Sequence, residues 1–432
     1  MNRELARRIA FTIGALLLFR LGTHIPVPGL IISNIPPTAG FIARISVFAL
    51  GLVPYLSAAV LIRLLSVVWA RLNVLERSGE RGRRKISRIT LALAIVIAGF
   101  QAYGLASALK GIPDIVGVPD GWFVATTMAS MLGGVVVLVW LSEQITRHGI
   151  GNGLALILSV NFLVAIPPDI AGIADLLQRG AVSVNLVLGH VAFWIAAVVV
   201  MVVVERARRN VRLEFGARKL GGRLVAARGA VLPFKIANSG FLIPTIVAAW
   251  MVFLPLAFAS VTLGGDHPLI AAAYQHLQVG KPGHVILVSI AVFVLAFVYT
   301  AYVVDPEHAA ESLQRHGGVI SGVVPGEPTA AYLDRVVSLT TVVGAVYLTV
   351  VQAIPEAFMA YGNALPYNMG GGAALIVVCT ILDIQTQVRD QSLTDRGAYA
   401  DENYPSGTAG VGQGDPGAAD GPALRHRSAL HR

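Results

Sequence analysis

Charged residues and cysteine are scarce in this chain. Only 13% of the 432 residues are Asp, Glu, Lys or Arg, and 55% are hydrophobic. A soluble domain carries about 25% charged residues, so the composition excludes an ordinary soluble protein. The single cysteine, Cys379, excludes an internal disulfide and a cysteine metal cluster. The solid apolar runs favour a polytopic helical membrane protein over a β-barrel, whose segments alternate.

Motifs of catalysis and phosphate binding are also lacking. GERGRRK at 79–85 has the wrong spacing for a phosphate loop and no Ser or Thr after its lysine. The sequence contains neither HExxH nor GxSxG, and its histidines are scattered near span ends or in loops, which predicts interfacial roles. We therefore expect no enzymatic activity, no cofactor and no metal.

Acidic residues are missing from the middle of the apolar runs. Glu143, Glu205 and Asp383 lie at run ends. Ion-coupled transporters usually keep carboxylates at mid-membrane, so a passive pore is favoured over a secondary transporter. Arg63 is the notable charge inside a run. It is predicted either to face protein or water, or to extend its charged end toward the nearby cytoplasmic surface.

The chain contains ten apolar runs that we interpret as transmembrane helices of an all-α fold. They are predicted at 9–23, 46–69, 89–109, 122–141, 154–166, 185–204, 236–257, 284–304, 336–354 and 371–384. Basic residues cluster at 71–88 and 206–235, whereas other loops carry little more than Lys110, Arg179 or Lys281. By the positive-inside rule, these basic segments and both termini are predicted to be cytoplasmic.

The runs divide into two inverted sets of five, predicted at 1–166 and 167–390, followed by a disordered cytoplasmic tail at 391–432. The second run of each set contains a glycine shortly before a proline, and the last run of each set is short. These glycine–proline pairs are Gly51 with Pro54 and Gly240 with Pro244. Interrupted segments at matching places predict a central path lined by spans two, five, seven and ten. The alternative is that Gly and Pro are simply common in membrane helices.

Several motifs resemble the SecY family, in the family's order. They are FRLGTHIPVPG (19–29), FALGLVPYLSAAVLIRLLSVV (48–68), GERGRRKISR (79–88), WLSEQITRHGIGNGLALI (140–157), VERARRNV (204–211) and PGEPTAAYLDRV (325–336). The resemblance covers about residues 3–390 and includes compositionally unusual loops as well as apolar helices.

This resemblance implies the central subunit of a protein-conducting channel in the bacterial cytoplasmic membrane. Two halves would open sideways through a lateral gate between spans two and seven, at which we place Gly51, Pro54, Arg63, Gly240 and Pro244. An apolar pore ring would seal the waist, and motif matching assigns it Leu56, Val60, Leu158, Phe162, Ile246 and Ile376. Such a constriction gates by dewetting.

The resemblance also implies partners. SecE-like and SecG-like small membrane subunits, the SecA motor ATPase or the ribosome, signal peptides and anionic lipid are expected. The docking residues for the motor or ribosome would be Arg206, Arg208, Arg209, Arg218, Lys219, Arg223, Pro325, Gly326 and Glu327. Cations of this loop would give a salt-dependent contact with RNA phosphates. A role in topology alone is the simpler alternative.

Three departures from the family pattern leave other functions open. The stretch 30–45, where the family usually has a longer plug, is short and contains Pro36 and Pro37. Val324 replaces the usual arginine before PGE, and Arg63 replaces a polar uncharged residue. These differences favour a specialised or non-conducting accessory paralogue as the main alternative to a general channel.

Overall fold

The computed structural model describes residues 3–31, 45–112, 115–215, 218–220, 223–225, 228–235, 248, 268–277, 280–303, 306–315, 317–360 and 370–402. Its helices are α1 (Arg3–Gly22), α2 (Val53–Val68), α3 (Ala70–Arg77), α4 (Glu80–Lys110), α5 (Asp120–His148), α6 (Gly153–Gln178), α7 (Val184–Arg206), α8 (Pro268–Leu277), α9 (Pro282–Val303), α10 (Pro306–Arg315), α11 (Glu327–Ala360) and α12 (Gly371–Glu402). The chain forms two compact units, Met1–Val388 and Arg389–Arg432.

Most predicted membrane helices are present, and seven helices among the described residues are long and apolar enough to cross a membrane. These are α4, α5, α6, α7, the segment Pro282–Arg315, α11 and α12 up to Arg389. α2 contributes the shorter apolar helix Val53–Arg63. The protein is therefore a mostly helical, multi-pass membrane protein. The prediction of ten spans in two inverted halves stays a prediction, and the predicted span 236–257 lies outside the described residues apart from residue 248.

The second span begins later than predicted. The sequence pattern placed its start at residue 46, but α2 begins at Val53. Gly51 has a φ of 58°, a left-handed conformation that ends the preceding turn, and Pro54 occupies the first helical turn. Proline fits there because its missing N–H is unpaired in any case. Gly51 and Pro54, the glycine–proline pair predicted at the start of an interrupted span, thus lie at the start of α2.

The fifth span is not short. The prediction ended it at Ile166 because Pro167 and Pro168 follow, but α6 runs through both prolines to Gln178. The φ of proline is itself helical, and membrane helices tolerate the lost hydrogen bonds better than the pattern suggested. α12 likewise continues beyond Ile384, to Glu402, and so passes residue 391, where the tail was expected to begin.

An antiparallel β-sheet corrects the all-α expectation. β1 (Arg208–Phe215), β4 (Arg228–Lys235) and β5 (Gly318–Ile320) form a sheet in the order β4-β1-β5. A hairpin of β2 (Arg218–Leu220) and β3 (Arg223–Val225) lies between β1 and β4 in the sequence. The region 206–235, interpreted as a basic loop, is therefore folded. The region 71–88 is also folded, as α3 and the start of α4.

Two large apolar cores hold the membrane helices together. The first core collects buried side chains of α1, α4, α5 and α6, with Leu52 and Leu56 beside them. The second core collects buried side chains of α7, α9, α11 and α12. The first core therefore belongs mainly to the N-terminal part of the chain and the second to the C-terminal part.

Close backbone packing fixes the segment that leads into α2. Gly134 of α5 lies against the backbone carbonyl of Val47, so a Cβ at this position would clash with it, whereas the adjacent Gly133 faces open space. Pro26 and Ser46 form an isolated bridge, and the Val47 N–H donates to the Ile25 carbonyl at 3.0 Å. The two ends of the predicted short plug stretch are thereby held together, while residues 32–44 lie outside the described residues.

Candidate pore and docking surface

Four of the predicted ring residues lie in or against one core. Leu56, Leu158 and Ile376 are buried in the first core, and Phe162 packs against it partly exposed. Leu56 comes from α2, Leu158 and Phe162 from α6, and Ile376 from α12. Side chains from three of the four spans predicted to line the path therefore contact a common cluster. Ile246 lies outside the described residues.

The ring residue Val60 lies in the other core. It is 5% exposed and is buried among side chains of the C-terminal helices. Ile376, from the C-terminal helix α12, is also 5% exposed and is buried among side chains of the N-terminal helices. Each core thus receives one predicted ring residue from the opposite part of the chain. These two residues mark the boundary at which the cores meet.

Hydrogen bonds join α6 to α12 next to the ring residues. The Ser159 hydroxyl donates to Oγ1 of Thr380 at 2.9 Å, and both side chains are buried. The backbone N–H of Gly151, just before α6, donates to Oε1 of Gln387 at 2.8 Å. Neither hydrogen bond was predicted from the sequence. Small polar residues inside otherwise apolar spans were the available signal, because such groups in membrane helices need partners.

The predicted gate residue Arg63 contacts the eighth predicted span. Its Nη1 donates to the Tyr299 hydroxyl of α9 at 3.3 Å, and the pair is partly buried. The Arg63 side chain therefore contacts protein, and whether its charged end also reaches the cytoplasmic surface stays a prediction. Gly51 and Pro54 lie at the start of α2, as described above, whereas Gly240 and Pro244 lie outside the described residues.

One histidine forms a buried pair near the end of a span. His284 near the start of α9 is buried and bonds through Nδ1 to Oε1 of Glu356 in α11, which is also buried. The pair was not predicted, since the ninth span was expected to end at Ile354, before Pro355 and Glu356. α11 instead continues through Pro355 to Ala360.

The predicted docking arginines lie on the sheet. Arg206 ends α7 and donates to Oε1 of Gln385 at 2.6 Å. Along β1, Val211 and Leu213 are buried, while Arg208, Arg212 and Glu214 lie on the exposed face. Arg209 is also exposed. Arg212 was not among the predicted docking residues, although the alternation of buried and exposed positions along β1 places it on the exposed face.

The hairpin carries the remaining basic docking residues. Arg218 and Lys219 lie in β2 and Arg223 lies in β3, with Leu220 paired to Arg223. These three residues therefore belong to a two-stranded hairpin that lies between β1 and β4 in the sequence.

The PGE segment is held firmly at the start of α11. Gly326 has a φ of 105°, and its carbonyl accepts the backbone N–H groups of Thr329 and Ala330. The Thr329 hydroxyl donates to the carbonyl of Val324 at 2.9 Å. Pro325 and Glu327 are exposed, and Val324 is 69% exposed. The residue that replaces the usual arginine therefore faces outward and contributes little to packing.

A small separate core connects the two docking segments. Val211 and Leu213 of β1 pack with Ala310 of α10, Ile320 of β5 and Leu333 of α11. β5 pairs with β1 through Leu213 and Ile320. The strands β1 and β4 and the PGE segment at the start of α11 are consequently parts of one folded unit.

Known proteins resemble this chain in sequence and in fold. The sequence profile of the SecY family matches residues 46–385. The protein translocase subunit SecY of Escherichia coli strain K12 is 37% identical over 407 residues, which cover 89% of this chain and 91% of that protein.

Solved structures show the same fold. One match is a SecY structure whose description says that the plug domain stabilises the closed state of the translocation channel. Its TM-score is 0.68, its sequence identity is 19%, and the match covers 90% of this chain and 93% of that chain. Sec61 from a canine ribosome–channel complex of the endoplasmic reticulum matches with a TM-score of 0.60 and 18% identity over 90% and 93%. The sequence resemblance is thus confirmed: the chain belongs to the SecY family.

Proposed function

We propose that this protein is the central subunit of a protein-conducting channel. It passes secretory polypeptides across the bacterial cytoplasmic membrane and releases membrane segments sideways, with both termini in the cytoplasm. Its family membership and its relative named as a protein translocase subunit support this role. Two inverted halves of five spans each, including the span at 236–257, complete the proposed architecture.

The placement of Val60 and Ile376 carries the pore part of the proposal. Each is buried in the core to which the other half of the chain contributes most. Residues at such a boundary move apart when the halves separate, and apolar side chains there exclude water and ions while the halves are together. With Leu56, Leu158, Phe162 and Ile246 they form the proposed pore ring.

Ile376→Ser tests the ring. We expect higher ion conductance in planar bilayers, because a hydroxyl at an apolar constriction favours its hydration. Ile381→Ser is the matched control, since Ile381 lies in the same helix but is 57% exposed. Equal conductance of the two variants and the parent protein would refute a seal at Ile376.

The sheet and the PGE segment form the proposed docking surface for the ribosome or a SecA motor. The exposed arginines of β1 lie in the same folded unit as the PGE segment, so one partner can contact both. A solved relative, Sec61, comes from a ribosome–channel complex. Small SecE-like and SecG-like subunits, signal peptides and anionic lipid complete the proposed set of partners.

Charge reversal tests the docking surface. We expect Arg208→Glu with Arg212→Glu to weaken ribosome binding and to reduce its dependence on salt, since each lost phosphate contact lowers the salt slope by about 0.7 to 0.9. Arg147→Glu with Arg179→Glu changes the net charge equally at exposed sites away from the sheet. Equal weakening by both pairs would contradict a specific surface and favour a role of the β1 arginines in topology alone.

A specialised accessory paralogue is the second candidate, because Val324 is exposed at the tip of the PGE segment. An exposed side chain is available to a partner, so the missing cation alters docking directly. We expect Val324→Arg to strengthen motor or ribosome binding if the protein acts as an accessory channel. Loss of general export after deletion of the gene would contradict the accessory role.

A further inference from the structure

We infer that Arg63 and Tyr299 form a latch from α2 in the N-terminal half to α9 in the C-terminal half, and that this latch stabilises the closed channel. The inference rests on the proposed function, because it assigns a task to one contact within the proposed gate. Of the two residues, Arg63 was predicted from the sequence to lie at the gate, whereas Tyr299 was not.

The contact lies at an interface between α2 and α9. Val60 is buried in the cluster that includes Ala296 of α9, and Arg63 donates to Tyr299. Val60 and Arg63 are three residues apart on α2, and Ala296 and Tyr299 are three apart on α9, so each pair shares a helix face. The Arg63–Tyr299 contact therefore lies about one helical turn from Val60, which is buried in the second core.

The chemistry of the pair suits a closure that can be reversed. A guanidinium is always charged and carries donors but no acceptor, so it needs an acceptor wherever it is partly buried. Among the described residues Arg63 forms no ion pair with a carboxylate, and its acceptor is the neutral Tyr299 hydroxyl. A carboxylate would hold the cation more strongly, whereas a single phenol at 3.3 Å is a bond at the long end of the normal range.

Opening would remove this acceptor. When α2 moves away from α9, the Arg63 guanidinium loses its partner in surroundings that include the apolar second core. Leaving a charged donor unpaired is costly, so separation is disfavoured until a passing segment or water replaces the phenol. This closing contribution is useful in a chain whose stretch 30–45 is too short for the usual plug.

Single-channel recording of the full-length protein with its small subunits tests the latch. The probe is a synthetic peptide with a basic start and a core of about ten leucines, the pattern of a secretory signal. We expect Tyr299→Phe and Arg63→Gln each to raise the fraction of open time without peptide by about tenfold, the effect of one such hydrogen bond. The double variant should open no more than either single variant.

Two further variants sharpen the test. Tyr103→Phe is the matched control, because it removes the same hydroxyl from an exposed tyrosine of α4. Tyr299→Glu should lower the open fraction through a stronger pair with Arg63, and this effect should disappear in the Arg63→Gln background. Tyr299→Phe changes one atom, so it remains informative even if a substitution of Arg63 prevents folding.

The outcomes separate the latch from the proposed function. If the parent protein shows no peptide-dependent conductance, the proposed channel function fails. If the parent conducts but Tyr299→Phe and Arg63→Gln leave the open fraction unchanged, the latch is refuted and the channel stands. A Tyr299→Phe effect of the same size in the Arg63→Gln background would also refute the latch.

Discussion

Among the described residues, the N-terminal and C-terminal helices form side-chain hydrogen bonds along two seams that differ in chemistry. At the α6–α12 seam, neutral groups form short hydrogen bonds, Ser159 with Thr380 and Gly151 with Gln387. At the α2–α9 seam, a cation donates to a phenol at 3.3 Å. Ser159 and Thr380 are buried, whereas the Arg63–Tyr299 pair is only partly buried.

The difference indicates that the α6–α12 contact resists separation, whereas the α2–α9 contact separates more easily. Separating the α6–α12 seam would leave the buried hydroxyls of Ser159 and Thr380 without partners in a low-dielectric region, which is costly. Separating the α2–α9 seam breaks one longer bond, and a partly buried guanidinium can find water or a passing segment. We therefore expect substitutions at the first seam to lower stability and those at the second to change opening.

The largest effect is expected for Gly151→Ala. Gly151 has a φ of 81°, and an added Cβ would lie 3.2 Å from Leu156 and 3.3 Å from Ile384. A left-handed conformation costs an L-residue about 1–2 kcal/mol, and the crowding at the seam adds to it. The free energy of unfolding, measured by thermal or denaturant titration in detergent, should fall accordingly.

Gly180→Ala separates these two causes. Gly180 has a φ of 68°, but an added Cβ would meet no atom within 4 Å. Its substitution should therefore show the conformational cost alone. Equal losses of stability in the two variants would mean that the seam beside Gly151 is not closely packed.

Thr380→Val should have an intermediate effect. It removes the hydroxyl that accepts from Ser159 and leaves that buried donor only the more distant Ile376 carbonyl at 3.5 Å, at a cost of about 1 kcal/mol. Thr349→Val is the control, since the Thr349 hydroxyl bonds only the Ala345 carbonyl of its own helix among the described contacts. Ser159→Ala in the Thr380→Val background should cost little more, and additive losses would argue against coupling between the two hydroxyls.

Gln387→Met is expected to have the smallest effect. It removes the acceptor of the Gly151 N–H at an exposed position, so the loss should be about 0.5–1 kcal/mol. Gln387→Glu retains an acceptor oxygen at the same place and should keep most of the stability. A comparison of thermal unfolding midpoints checks this, and equal loss in both variants would rule out the hydrogen bond as the cause.

Sequence patterns predicted the membrane helices well where charge and hydropathy changed together. The helix α7 begins and ends within two residues of the predicted limits, because charged or turn residues bound its apolar run. The patterns failed where glycine and proline were treated only as interruptions. Pro54 helps to start α2, and Pro167 lies within α6.

The sheet and the inter-helix bonds depend on contacts between distant residues. β5 is only three residues long and pairs with a strand more than a hundred positions earlier, so no local pattern identifies it. The alternation of Val211 and Leu213 with charged residues was readable, but the abundance of arginine favoured an interpretation as a loop. Tyr299 and Thr380 look like ordinary residues of apolar helices until the packing shows what they face.

The pairing of β1 with β5 has a mechanical consequence. A force applied to β1 or to the PGE segment is shared through hydrogen bonds and the Leu213–Ile320 contact, since both belong to the same folded unit. In the sequence, α7 directly precedes β1, and α11 follows β5. A motor that pushes on either segment would thus transmit force to two membrane helices, α7 and α11, at the same time.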